Sequence, residues 1–167
     1  LEFDADKVTY FGIEAFAWDT SLTSITIPDS VTSIGKFAFY RCKSLTSIII
    51  PNSVTHINKE TFAYSKSLTS ITIPDGVISI GDKAFMDCSF ITNITIPNSI
   101  TEIGDFAFCS CTSLTDINIP GSVTIIGDGA FEGCSNLTSV MIGENVTSIG
   151  EWAFYHCSSL TSVAIPD

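Results

Sequence analysis

Six cysteines and two histidines are the side chains of this 167-residue sequence best suited to covalent or metal chemistry. Five of the cysteines, Cys42, Cys88, Cys111, Cys134 and Cys157, fall in one 23-residue register, and Asp19 and Ser65 fill its two remaining places. A disulfide framework is the first chemistry such a set suggests. If the 23-residue units stack as coils, the column advances about 4.8 Å per step with parallel side chains, beyond the ~3.5–4.5 Å between Cβ atoms that a disulfide needs. Reduced, packed thiols are expected instead. Zinc fails on the same geometry: the thiols from Cys88 to Cys157 would span about 14 Å in a line, whereas sulfurs at a Zn–S distance of about 2.3 Å must lie within about 4.6 Å of each other. Cys109 stands outside the column; an exposed thiol or a disulfide to a neighbouring molecule is open to it, and no further role is assigned.

Nucleophilic catalysis requires a base beside the serine or cysteine. His56 and His156 lie in different columns, four coils and roughly 19 Å apart at strand spacing. With no convergent acid, base and nucleophile, the sequence reads as non-enzymatic and carries no cofactor signature. Asp82, Asp105, Asp128 and Glu151 form a column of acids about 5 Å apart, a spacing that could recruit Ca²⁺. Lys36 and Lys59 hold the same column earlier in the chain. Acids also suit the first turn of a helix, so helix capping is expected there and no metal site is assigned.

The repeat itself must position these columns. Ile-Pro recurs at Ile27-Pro28, Ile50-Pro51, Ile73-Pro74, Ile96-Pro97, Ile119-Pro120 and Ile165-Pro166, with Ile142-Gly143 in the gap. Phe16, Phe39, Phe62, Phe85, Phe108, Phe131 and Phe154 keep the same beat. A fixed period of this length is the mark of a solenoid, in which one coil buries its apolar side only when a neighbour stacks on it.

Each copy reads in three parts. Leu68 to Ile73 alternates and is rich in β-branched residues, predicting a strand with Ile71 and Ile73 inward and Ser70 and Thr72 outward. Pro74, without an N–H, ends it. Val77 and Ile80 predict a second short extended stretch on another side of the coil. A glycine column follows, Gly12, Gly35, Asn58, Gly81, Gly104, Gly127 and Gly150, and its sole non-glycine member predicts a left-handed backbone with φ > 0. Ala84-Phe85-Met86-Asp87-Cys88 predicts one or two helical turns of α or 3₁₀ type. The phenylalanine column is expected to form the core, each ring contributing roughly 1.5–3 kcal/mol.

The composition is 45 % apolar. Its longest aliphatic run is Ile48-Ile49-Ile50, far short of the ~20 residues of a spanning helix, so no membrane insertion is expected. Net charge is −11, all seven bases lie between Lys7 and Lys83, and residues 84–167 hold nine acids and no base. This balance argues against a phosphate-backbone partner, which needs clustered bases, so no nucleic-acid binding is expected. Residues 1–167 are read as a single solenoid domain. Glu2 and Asp4 stand where the first strand would need isoleucine, and the last copy stops at Pro166-Asp167. Neither end reads as a polar cap, so a segment of a longer array is expected.

A strand of the form Leu-x-x-Ile-x-Ile-Pro, then Val-x-x-Ile-Gly, then Ala-Phe-x-x-Cys resembles the BspA-like leucine-rich-repeat family, from Val8 to Pro166. The resemblance implies a right-handed leucine-rich-repeat solenoid of about seven coils, with a parallel β-sheet on one face and short helical or 3₁₀ turns on the other. It implies a secreted or cell-surface protein of a host-associated microbe, adhering to host matrix or microbial proteins. No catalytic residues come with it.

The outward strand columns then remain as the candidate binding face. Thr72, Asn93, Thr95, Asp116, Asn118, Ser139 and Met141 hold the stretch where side chains change most between coils. Extended faces of this kind are what solenoids use for binding. The expected function is a non-catalytic protein-recognition and adhesion module, with a protein ligand. The alternatives are a structural spacer and a Ca²⁺-dependent glycan-binding module, and end-to-end self-association is a further option.

Overall fold

A computed structural model describes residues 7–166. The expected loss of a first strand at Glu2 and Asp4 lies outside the described residues. The chain winds as stacked coils carrying two parallel strand ladders. Three-residue strands at Ser24–Thr26, Ser47–Ile49, Ser70–Thr72, Asn93–Thr95, Asp116–Asn118, Ser139–Met141 and Ser162–Ala164 form one side. Two-residue strands at Tyr10–Phe11, Ser33–Ile34, His56–Ile57, Ser79–Ile80, Glu102–Ile103, Ile125–Ile126 and Ser148–Ile149 form another. Paired positions are one repeat apart, as in Ile48↔Ile71 and Ile80↔Ile103. Equivalent residues therefore stack in columns.

Alternation places the middle of each long strand inside. Ile71 and Ile73 are buried while Ser70 and Thr72 are exposed. Proline then heads a tight turn: the Val77 N–H reaches the Pro74 carbonyl at 3.0 Å, and the Val54 N–H reaches that of Pro51 at 3.1 Å. The core is a file of rings. Phe39, Phe62, Phe85, Phe108 and Phe131 are fully buried, and Phe16 and Phe154 at the two ends are half-buried. Consecutive centroids lie 5.2–5.5 Å apart with planes within 9° of parallel. Offset stacking at such a distance is favourable beyond the area buried.

The side carrying Ala-Phe-x-x-Cys forms no α-helix among the described residues. Its N–H groups alternate between two destinations. Ala84, Met86 and Cys88 donate three residues back within the coil, at 3.1 Å each; Lys83, Phe85 and Asp87 donate to Asp105, Ala107 and Cys109 of the next coil, at 2.8 Å each. A helix keeps its N–H groups for itself and cannot bond its neighbour in this way. Consecutive turns can, provided the peptide plane flips periodically. The flip falls at positive-φ residues such as Lys83 (φ 55) and Asp87 (φ 55), with Glu60, Tyr64, Phe106 and Ser110 equivalent in other coils.

Asn58 and its glycine column are not the left-handed positions; those lie two and six residues further on. Glycine is needed there for space. A Cβ on Gly35 would meet the Gly12 carbonyl carbon at 2.6 Å, and one on Gly104 would meet the Asp82 nitrogen at 2.7 Å. Such distances are not tolerated without movement of backbone. At Gly12, by contrast, a Cβ would meet none of the described residues within 4 Å.

The acids after this column cap no helix. They accept hydrogen bonds from the next coil: Asp82 from the Asp105 N–H (3.3 Å), Asp105 from the Asp128 N–H (2.9 Å) and Asp128 from the Glu151 N–H (2.8 Å). A short carboxylate reaches the main chain one coil on, which explains the acid column without a cation.

Candidate recognition surface

The cysteine column is structural. Each Sγ points at the carbonyl of the preceding coil's phenylalanine, as in Cys88 to Phe62 (3.1 Å), Cys111 to Phe85 (3.2 Å) and Cys134 to Phe108 (3.2 Å). Ser65 makes the same bond to Phe39 at 2.7 Å. All six cysteines are free and buried. Burial pushes the Cys42 thiol up to about 11 and raises Cys88, Cys109 and Cys111 above the ordinary thiol value. A thiol held protonated is a poor nucleophile. Cys109, expected to be exposed, is instead only 6 % accessible. His56 faces Thr55 Oγ1 at 2.9 Å, while His156 packs against Tyr155 with ring centroids 3.9 Å apart.

Of the seven residues expected to form a binding face, Thr72, Asn93, Thr95, Asp116, Asn118 and Met141 are exposed and Ser139 is half-buried. Strand pairing brings Thr72 beside Thr95, Asp116 beside Ser139, and Asn118 beside Met141. The ladder lapses between Asn93–Thr95 and Asp116–Asn118, so the seven residues are divided between a four-stranded and a three-stranded sheet. The Thr115 hydroxyl holds the Asp116 carboxylate at 2.9 Å. The threonines that precede these strands are occupied: Thr138 Oγ1 donates to the Thr115 carbonyl at 2.9 Å and Thr161 Oγ1 to that of Thr138 at 3.2 Å. They clip coils together, leaving the outward strand positions to face solvent.

Where the strands meet the proline turns, Ile49, Pro51, Asn52, Thr72, Pro74 and Asp75 line an open groove of about 510 Å³. Ile49 is 67 % exposed there. A smaller groove of about 340 Å³ lies between Thr32, Ser33, Thr55, His56 and Asn58. It marks a gap in the short ladder, where Ser33–Ile34 and His56–Ile57 are not paired.

The turn side carries a cluster that the repeat consensus does not reveal. Trp18, Arg41 and Tyr64 occupy one column, and the Arg41 guanidinium lies 4.6 Å from the Trp18 ring, 4.9 Å from Tyr64 and 5.4 Å from Tyr40. Reading the register as columns gives Trp, Arg, Tyr in succession, the one signal that could have found it.

Stacked parallel-strand coils with a continuous phenylalanine file define a leucine-rich-repeat solenoid with an open strand face. The chain belongs to the BspA-type leucine-rich-repeat family, whose model matches residues 9–127 and 55–167 in 6 copies. It is similar to a leucine-rich repeat protein of Bacteroides ovatus, with TM-score 0.87 and 36 % identity over 95 % of this chain and 41 % of that one. It is also similar to the T. pallidum leucine-rich repeat protein, with TM-score 0.83 and 33 % identity over 85 % of this chain and 69 % of that one. A leucine-rich cell surface protein of Faecalibacterium prausnitzii gives TM-score 0.74 and 33 % identity over 97 % of this chain and 52 % of that one. The chain thus spans less than two thirds of the B. ovatus and F. prausnitzii proteins. No curated protein matches it. Among the described residues no helix is long and apolar enough to cross a membrane.

Proposed function

We propose that the chain is a non-catalytic protein-recognition module of a secreted or cell-surface protein, with its ligand, a matrix or surface protein, meeting the outward strand positions. The observation that carries this reading is the contrast between fixed and free columns. Phenylalanine and glycine columns repeat nearly unchanged and fix the backbone, while Asn93, Asp116, Asn118 and Met141 vary and are exposed. Variation on an invariant frame gives a repeat surface a shape of its own. The likeness to a leucine-rich cell surface protein supports the surface location.

Joint replacement of Asn93, Asp116, Asn118 and Met141 by serine or threonine tests it. A panel of matrix proteins is screened first with the parent chain, and the variant should then fold as the parent does and bind its ligand at least tenfold more weakly. Binding that survives this change removes the strand face from consideration. Loss of binding in EDTA would point to the Ca²⁺-dependent glycan reading. A ligand retained by the full-length protein and not by this chain would leave these coils as a spacer.

A further inference from the structure

The turn-side cluster is a place where this acidic molecule gathers positive charge. Arg41, Lys43 and Lys66 line a pocket of about 310 Å³ together with Tyr64 and Asp87. Lys43 and Lys66 are one repeat apart, so their stems stack about 5 Å from each other. One carboxylate lines the pocket with these three cations: Asp87, which takes Lys66 at 2.8 Å. No carboxylate pairs with Arg41 among the described residues, and its Nε is buried without an acceptor. Like charges drawn together and a half-buried guanidinium with an unmet donor both oppose stability. In a chain of net charge −11 such an arrangement calls for an anion.

The rings define what kind. Trp18 and Tyr64 hold the guanidinium by cation–π contact, which fixes its direction without neutralising it. Trp18 does not line the pocket itself but contacts Arg41 at its edge and remains 60 % exposed, an aromatic surface next to the charges. The main chain here offers no strand edge to an extended peptide, since the Phe37, Phe39 and Arg41 N–H groups already bond Lys59, Thr61 and Ala63. A pyranose ring has an apolar C–H face for the indole, and an acid substituent would reach the cations. We infer that this pocket binds an acidic saccharide, a sugar bearing a carboxylate or a sulfate. The site lies away from the strand face, so its success or failure is separate from that of the protein-binding reading.

Trp18 is the natural reporter. In a Trp152→Phe background it is the sole tryptophan, and its emission is followed during titration with a heparin-derived hexasaccharide, a galacturonate hexamer, neutral maltohexaose and hexaglutamate. A saturable shift with either acidic oligosaccharide, weakening as salt rises, is expected, with none from maltohexaose; which of the two binds names the acid group. Lys43→Ala with Lys66→Ala should weaken binding at least tenfold. Both side chains are exposed, so the variant should melt no lower than the parent. Arg41→Lys, which keeps the charge and loses the planar fork, should weaken it at least threefold. Absence of any saturable shift, equal binding by the double variant, or hexaglutamate binding as tightly as the saccharides would overturn the assignment.

Discussion

The Asn58 side-chain amide donates to the Ile34 carbonyl at 2.6 Å, in the place where a backbone N–H serves in other coils. Gly81 donates through its own nitrogen to Ile57, Gly104 to Ile80 and Gly127 to Ile103, each at 2.8 Å. At Gly35, Gly81, Gly104, Gly127 and Gly150 an added Cβ would point into the preceding coil's main chain. Asparagine places a Cβ where those coils have none, and its amide takes over the bond to the preceding coil. The missing pairing between Ser33–Ile34 and His56–Ile57, and the groove beside them, coincide with this one side chain.

Asn58→Gly should therefore close the short ladder. Amide exchange at residues 55 and 58 is expected to slow by an order of magnitude or more. Overall stability should stay level or rise by up to about 1 kcal/mol, because new backbone hydrogen bonds worth about 1 kcal/mol each oppose the entropy of an added glycine. A loss exceeding about 1 kcal/mol in a denaturant melt would contradict the steric account.

Gly104→Ala and Gly12→Ala separate space from conformation. The methyl at 104 would sit 2.7 Å from the Asp82 nitrogen, and a loss of about 1–3 kcal/mol is expected, as for other overpacked sites. At position 12 none of the described residues lies within reach, so the change should fall within about 0.5 kcal/mol of zero. Equal losses at the two positions would show that the column is conformational after all.

Truncating a ring in the middle of the file, Phe85→Ala, should destabilise by roughly 3–5 kcal/mol. Phe154→Ala should do less, since that ring is only half-buried. Urea melts of the two variants check the order.

The thiols give the fold an alkaline limit. Burial, the largest effect, raises Cys42 from an ordinary value of 9.0 to about 11, so the unfolded chain loses this proton first. Stability is unaffected below pH 9 and falls as pH rises from there toward 11. Cys42→Ser should keep the bond to Phe16, as Ser65 does to Phe39, and soften the decline. Melts at pH 8 and pH 10.5 compare the two, and a thiol reagent at pH 8 should modify the parent only once it unfolds.

What was legible in the sequence was the part written in side-chain burial. Phe85, Ile71 and Ile73 announce the core by type and period alone, and the family resemblance rests on the same residues. Backbone bonding was less legible. Ala84-Phe85-Met86-Asp87-Cys88 has helix-like spacing, yet alternate N–H groups leave the coil, and nothing in residue type records where an N–H goes. Glycine at 81 and 104 is ambiguous in the same way, since a need for room and a need for φ > 0 select the same residue. The true left-handed columns hold Lys83, Phe106 and Ser110 alongside Asp87, Gly129 and Gly133, a mixture of types too uneven to mark them. The acids at 82, 105 and 128 bond across coils rather than along one. Arg41 escaped because the two rings nearest its guanidinium, Trp18 and Tyr64, are 23 residues away on either side.

The two ladders lapse at different heights: the short one between the coils of Ile34 and Ile57, the long one between those of Thr95 and Asn118. At each lapse the opposite ladder is intact, with Ser24–Thr26 paired to Ser47–Ile49 and Glu102–Ile103 paired to Ile125–Ile126. The phenylalanine file runs through both. Under tension along its axis the molecule would have no plane of easy rupture. Load crossing a weak seam on one side passes to the intact side, as in masonry laid with staggered joints.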